Sequence, residues 1–281
     1  MLKKGIILLL IAGYSFISCK GLVLESREQC PQRVYLEFDN SVKFEDSECV
    51  FICCPSPESY KGWKTYNTTV GEIRNRSFWI ENRRGDELNF TGIVFMDSEL
   101  RDDGNLSFFV SVYEEYPTLY RFKSFVKSTQ SECTVNVILT KEFLGLRLLI
   151  SNYYSQKQEE TNVSYYVEVF CNSAGTNVMS GVPYYGHYSV IKENRTGSFS
   201  FRIPRQLDES LYIRIKVKDS VSDEILLHRE FSLWSILLQY CNITWQEDSL
   251  PDVELDVDIV NLYFKFSISN KKFISYELRG S

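Results

Sequence analysis

Leu211-Tyr212-Ile213-Arg214-Ile215-Lys216-Val217-Lys218 alternates apolar and polar or basic side chains with little interruption. Successive side chains of a strand point to opposite faces. A period of two therefore places Leu211, Ile213, Ile215 and Val217 on one buried face and the basic side chains on a solvated one. The pattern continues outward in both directions. Upstream, Ser198–Ile203 (SFSFRI) ends at Pro204 and Ser164–Cys171 (SYYVEVFC) alternates in the same way. Downstream, the polar cluster Asp219–Glu224 turns the chain towards Ile225–Leu238. Val253, Leu255, Val257 and Ile259 then alternate with Glu254, Asp256 and Asp258. A closing hairpin is predicted from Leu262–Ile268 to Phe273–Leu278 through Ser269-Asn270-Lys271-Lys272.

The first half carries the same signals. Val34–Phe38 alternates, and Glu48–Cys54 is an apolar run stopped by Pro55 and Pro57, as a buried strand would be. Ser77–Ile80 leads into the turn Asn82–Asp86. Asn105–Tyr113 and Thr134–Thr140 are β-prone, and Leu144–Ser151 fits either a strand or a short helix. Alanine occurs only at Ala12 and Ala174, whereas there are 18 Tyr and 19 Phe, so composition favours strands over helices. Strands spaced by about 8–12 residues with turn residues between them predict an all-β chain of two antiparallel β-sandwich domains.

The N-terminus reads as a cleaved signal peptide over residues 1–21. Lys3 and Lys4 precede the apolar Gly5–Gly13, which is too short to span a bilayer, and small residues follow. Cleavage after Ser15, Cys19 or Gly21 stays open. Phe16-Ile17-Ser18-Cys19 also loosely resembles a bacterial lipobox. Against a bacterial source stand seven Asn-x-Ser/Thr triplets among 15 asparagines, at Asn67, Asn75, Asn89, Asn105, Asn162, Asn194 and Asn242. Read as glycan acceptors, they place the chain in a eukaryotic secretory pathway. No later run of about 18 apolar residues and no lipid-anchor signal at the C-terminus follow, so a released, extracellular protein is expected.

The cysteines are Cys19, Cys30, Cys49, Cys53, Cys54, Cys133, Cys171 and Cys241. In a secreted chain the last seven read as disulfide candidates, the odd one being free or bridging a dimer. Cys53 and Cys54 would point to opposite faces of a strand and take different partners. Two histidines and no recurring CxxC pair argue against a metal site, and no cofactor motif is present. A net charge of −6 gives no basic footprint for nucleic acid. His187 and His228 stand near no nucleophile motif, so an enzyme is not expected.

The N-terminal half resembles an immunoglobulin-superfamily ectodomain of cytokine-receptor or viral decoy-receptor type. Cys49 lies fourteen residues before Trp63, near that family's spacing from strand-B cysteine to strand-C tryptophan. Asp102 and Gly104 match its Asp-x-Gly-x-Tyr-x-Cys corner, while Leu106 and Phe108 replace the tyrosine and second cysteine. The resemblance implies an Ig-like sandwich over 22–128, closed by an apolar contact instead of the usual disulfide. A second sandwich is expected over 129–281, the two meeting near Thr129–Cys133. Cys241-Asn242-Ile243-Thr244-Trp245 is read as a single strand carrying a glycan.

Two surfaces suggest binding. Gly181–Tyr188 (GVPYYGHY) is predicted as a loop whose Tyr184, Tyr185, His187 and Tyr188 could form a paratope-like patch, or else pack onto the sheet beneath. Asp252, Glu254, Asp256 and Asp258 could steer a basic ligand, or form an ordinary solvated strand face. Together these features point to a secreted, N-glycosylated protein that binds an extracellular protein ligand. A virus-encoded immunomodulator or soluble cytokine or chemokine decoy leads. A host or parasite surface or adhesion glycoprotein is the alternative, and a secreted hydrolase is third.

Overall fold

The structure, a computed structural model, describes residues 30–39, 42–55, 62–96, 101–102, 104, 106–151, 163–261, 263–268 and 271–277. The expected signal peptide and the sequons at Asn105 and Asn162 lie outside them. The first strands are β1 (Pro31–Phe38), β2 (Cys49–Pro55) and β3 (Trp63–Thr69), then helix α1 (Val70–Arg74) and strands β4 (Ile80–Arg83), β5 (Glu87–Phe95), β6 (Arg101–Asp102) and β7 (Ser107–Phe109). Next come β8 (Leu119–Lys127), β9 (Glu132–Val137), β10 (Leu139–Lys141), β11 (Phe143–Ser151), β12 (Val163–Asn177) and β13 (Pro183–Asn194). The chain continues with β14 (Ser198–Pro204), β15 (Tyr212–Asp219), β16 (Ile225–Ser232), helix α2 (Leu233–Cys241), β17 (Asp252–Asp258), β18 (Tyr263–Ile268) and β19 (Lys271–Glu277). The protein is all-β, mostly antiparallel, as composition and alternation predict.

Two compact units interleave along the sequence. The first draws on residues up to 47, 53–90 and 123–138, and the second on 48–52, 91–122 and 139–281. Thr129–Cys133 falls inside the first.

The first unit holds a three-stranded sheet in the order β4-β1-β9, in which β1 runs antiparallel to β4 and parallel to β9. Val34, Leu36, Ile73, Ile80 and Val137 are buried in it. Gln32, also buried, donates to the carbonyls of Ser128 and Gln130 at 3.0 and 2.9 Å and accepts from Asn82 Nδ2 at 3.2 Å. Its amide thus has partners for both ends, as burial demands. Helix α1 starts at a capping box: Thr69 Oγ1 accepts from Glu72 N and Glu72 Oε2 accepts from Thr69 N, both at 3.2 Å.

The second unit contains the sheet β14-β11-β17-β18-β19 and the sheet β16-β15-β12-β7-β6, with β13 paired to β12. The strand that anchors the sequence reading behaves as predicted: Ile213, Ile215 and Val217 of β15 are buried, while Arg214, Lys216 and Lys218 are half-buried. Phe231 of β16 meets Phe264 of β18 edge-on at 5.1 Å, so the two sheets pack against each other. In this unit, as with β1 and β9 in the first, one described pairing is parallel: β11 and β17 run together from Gly145↔Asp252 to Ser151↔Asp258. Leu144–Ser151, ambiguous in sequence, is a strand because β14 and β17 flank it on both sides.

Several expectations are corrected. None of Cys30, Cys49, Cys53, Cys54, Cys133, Cys171 and Cys241 forms a disulfide. Cys53, Cys54, Cys171 and Cys241 are buried and act as small apolar core residues. Ile225–Leu238 divides between strand β16 and helix α2. Ser232 Oγ accepts from Ser235 N at 3.1 Å and caps α2, whose Leu233, Ile236 and Leu237 recur at helical spacing and are buried. Cys241–Trp245 is the end of that helix and the turn after it, because Asn242 adopts left-handed φ 51° and ψ 38° and returns its N–H to Leu237 O. The residues central to the receptor-type resemblance lie as follows: Trp63 is 49% exposed, Cys49 is exposed, and Phe108 packs on Phe51 at 4.9 Å.

Candidate functional site

The Tyr-rich segment is not a loop. From Pro183 it forms β13, in register with β12 at Thr176↔Pro183, Gly175↔Tyr184 and Cys171↔Tyr188. Tyr188 is fully buried; its hydroxyl accepts from Tyr116 N at 3.3 Å and donates to Arg202 O at 2.9 Å. Burial pushes its phenol pKa well up. Tyr184 stacks on Phe109 at 4.9 Å and 13°, whereas Tyr185 is 70% exposed and His187 is exposed. Alternation along the strand therefore splits the four residues between two faces, and only Tyr185 and His187 share solvent.

The acidic strand is similarly engaged. Lys141 pairs with Asp252, Arg147 lies 3.4 Å from Glu254, and Asp258 accepts from Val260 N and Asn261 N at 3.1 and 2.9 Å to build a turn. Of the sequon asparagines, Asn67, Asn75, Asn89 and Asn242 are exposed and Asn194 is half-buried. Asn194 Oδ1 accepts from Thr196 N and Gly197 N at 3.0 and 2.9 Å, an Asx turn that closes the β13–β14 hairpin. Asn75 and Asn242 cap the two helices.

A cleft of about 800 Å³ opens elsewhere in the second unit. Its floor follows from helix α2. The N-cap places Trp234 in the first turn, with its backbone N–H donating to Leu211 O at 3.1 Å. The left-handed Asn242 then folds the chain back, so Trp245 stacks on Trp234 at 5.6 Å and 17° between planes. Glu247 closes the next turn: its N–H reaches Thr244 O at 3.4 Å and its Oε1 accepts from Thr244 N at 3.3 Å.

A buried ion cluster fixes this turn. Glu142, completely buried, takes Arg121 Nε on Oε1 and Arg205 Nε on Oε2, each at 2.9 Å. Arg205, also buried, donates from Nη1 to the carbonyls of Trp245 and Glu247, the latter at 2.7 Å, and from Nη2 to Asp248 O at 3.4 Å. Its fork is thus occupied by protein acceptors. Asp208, Glu209 and Asp248 stand exposed on the rim. Hydrogen bonds from Ser210 and Asn172 hold the Asp208 carboxyl below the usual carboxylate range.

Gly181, Val182 and Pro183 contribute to the cleft wall, but none of the four residues expected to bind a partner does. The tryptophans, Arg205 and Glu142 escaped the sequence reading. The apolar 3.6-residue period of Leu233–Cys241 signals the helix that carries Trp234, whereas no local pattern marks Arg205 or Glu142.

No protein-family model and no curated protein matches the sequence. Solved structures do share the fold. One is a candidate polysaccharide-binding protein from Bacteroides thetaiotaomicron, with TM-score 0.57 and 10% identity over 88% of this chain and 98% of that one. A candidate adhesin from Bacteroides ovatus gives 0.53 and 12%, over 88% and 96%. The fimbrial anchor protein of Porphyromonas gingivalis gives 0.51 and 11%, over 88% and 100%. These likenesses to bacterial adhesion and fimbrial chains overturn the expected viral immunomodulator with a cytokine or chemokine partner.

Proposed function

We propose that this chain is a non-enzymatic bacterial cell-surface adhesion protein of the fimbrial kind, held at the membrane by a lipid on Cys19. The observation that carries the reading is a fold similar to adhesin and fimbrial structures over 88% of the chain and nearly the whole of each neighbour. The N-terminus supports it. Lys3 and Lys4, the apolar Gly5–Gly13 and Phe16-Ile17-Ser18-Cys19 have the order of a lipoprotein leader, with Cys19 as the acceptor after cleavage behind Ser18. A lipid there ties the chain to the surface instead of releasing it. Among the described residues no helix is long and apolar enough to cross a membrane. The sequons lose their force as a compartment marker, because Asn75, Asn194 and Asn242 serve as caps and a turn.

The test is expression of the full chain in a Bacteroides host, followed by fractionation and protease treatment of intact cells. The reading expects a membrane-bound, protease-accessible protein that incorporates labelled palmitate, and a Cys19→Ala chain that does neither. Soluble wild-type protein inside the cell would overturn it.

A further inference from the structure

We propose that the Trp234–Trp245 cleft binds a neutral glycan chain, with the indole pair as its platform. This rests on the adhesion reading and names the ligand class of that surface. The two rings lie nearly parallel at 17°, and Trp234 is only half-buried, so the stack presents one flat apolar face. A pyranose ring matches such a face, because its axial C–H bonds form an apolar side while its hydroxyls ring the edge. The rim around the indoles supplies partners for those hydroxyls: the Asp208 and Glu247 carboxylates and the Gln246 amide. A volume of about 800 Å³ lies within the range of sites that enclose small ligands.

Charge selects among occupants. Arg205 is committed inward to Glu142 and three carbonyls, and Glu142 also takes Arg121 Nε. An anionic ligand would face carboxylates, and anionic polymers are disfavoured. A cationic peptide would also suit the carboxylate rim and the open Trp234 face, so it is the competing occupant that a cationic probe must separate from a glycan.

A second observation points to a hydroxyl-bearing ligand. Trp245 and Gln206, each more than nine-tenths buried in the lining, keep Nε1 and Oε1 respectively without a hydrogen bond among the described residues. Leaving a buried donor and a buried acceptor unmet is costly, and a hydroxyl can serve either by giving or taking one bond.

The experiment titrates the full chain with cellohexaose, maltohexaose, mannohexaose and xylohexaose, reading tryptophan fluorescence and calorimetry, with hexalysine as a cationic probe. The expected result is saturable binding of at least one hexaose that persists in about 0.5 M NaCl, where the Debye length is only a few ångströms. Trp234→Ala should weaken it by at least about tenfold, equivalent to about 1.4 kcal/mol. Asp208→Asn keeps the acceptor for Ser210 and should weaken it severalfold with an unchanged melting temperature. That variant keeps the test valid if Trp234→Ala fails to fold. Absence of binding to all four hexaoses overturns the proposal, as does salt-sensitive binding of hexalysine alone or undiminished binding by Asp208→Asn. Surface location in the fractionation experiment is independent of each of these outcomes. Loss of the glycan site would leave the adhesion reading standing, and the reverse holds too.

Discussion

Arg205 Nε lies 2.9 Å from Oε2 of the fully buried Glu142, and the same guanidinium holds the carbonyls of the turn that carries Trp245. The cleft floor is therefore tied to a charge that cannot reach water. Removing one member of such a pair strands the other. Glu142→Ala is expected to destabilise the protein by about 3–5 kcal/mol, measured by urea unfolding. A double replacement, Glu142→Met with Arg205→Met, should recover part of that loss because neither charge remains. A change below about 1 kcal/mol for Glu142→Ala would show that water enters the cluster.

Tyrosines three positions apart on β13 should respond in opposite ways. Tyr188→Phe removes the hydroxyl that serves Tyr116 N and Arg202 O in the interior, and should cost about 1–3 kcal/mol. Tyr185→Ala, at an exposed strand position, should stay within about 0.5 kcal/mol. Thermal unfolding of the two variants reads this directly. Equal losses would mean that the strand is not packed as described.

How much of this was legible follows from the residues themselves. The strands with a strict period of two, β15 and β17, could be read because each buries one face only. Parallel pairing of β11 with β17 could not, since their partner contacts lie about a hundred residues apart and a strand's alternation is the same in either direction. Gly181–Tyr188 looked like a loop because Gly and Pro punctuate it. In fact Gly181, at φ 70°, makes the turn, and the tyrosines continue as strand. The site stayed hidden for a different reason. Its two indoles are eleven residues apart and meet only because Asn242 takes a left-handed conformation.

Thiol chemistry offers a further check. Burial pushes the Cys53 thiol up to about 12, helped by its neighbour Cys54, and burial likewise pushes Cys171 up to about 12. The native protein at pH 8 should be alkylated first at exposed Cys49, with Cys53 and Cys171 modified only on unfolding. A raised acid pKa in the folded state favours the neutral thiol. Its stabilisation is complete below the unfolded value of 9.0 and is lost as pH rises from there towards about 12. Mass spectrometry of iodoacetamide-treated protein, with urea melts at pH 8 and above 9.0, measures both. Rapid native labelling of Cys171 would contradict the packing around β12.

The last prediction concerns Gly175, where β7 crosses β12. A Cβ placed there would sit 1.9 Å from Phe108 O and 2.6 Å from Phe109 Cα, so backbone itself blocks any side chain. The close approach sets the pairing Gly175↔Phe109, which in turn brings Phe109 under Tyr184. Gly175→Ala must push β7 away, and overpacking of this kind costs about 1–3 kcal/mol or more. Gly186 is the control, because its added Cβ would meet Ala174 Cβ at 3.4 Å, an ordinary contact. Gly186→Ala should therefore change stability by about 1 kcal/mol or less. Hydrogen exchange locates the effect: the amides of Val110 and Val178, bonded to Ala174 O and Leu106 O at 3.1 and 2.9 Å, should lose protection in Gly175→Ala alone. Protection lost equally in both variants would mean that the strand crossing is not what those amides depend on.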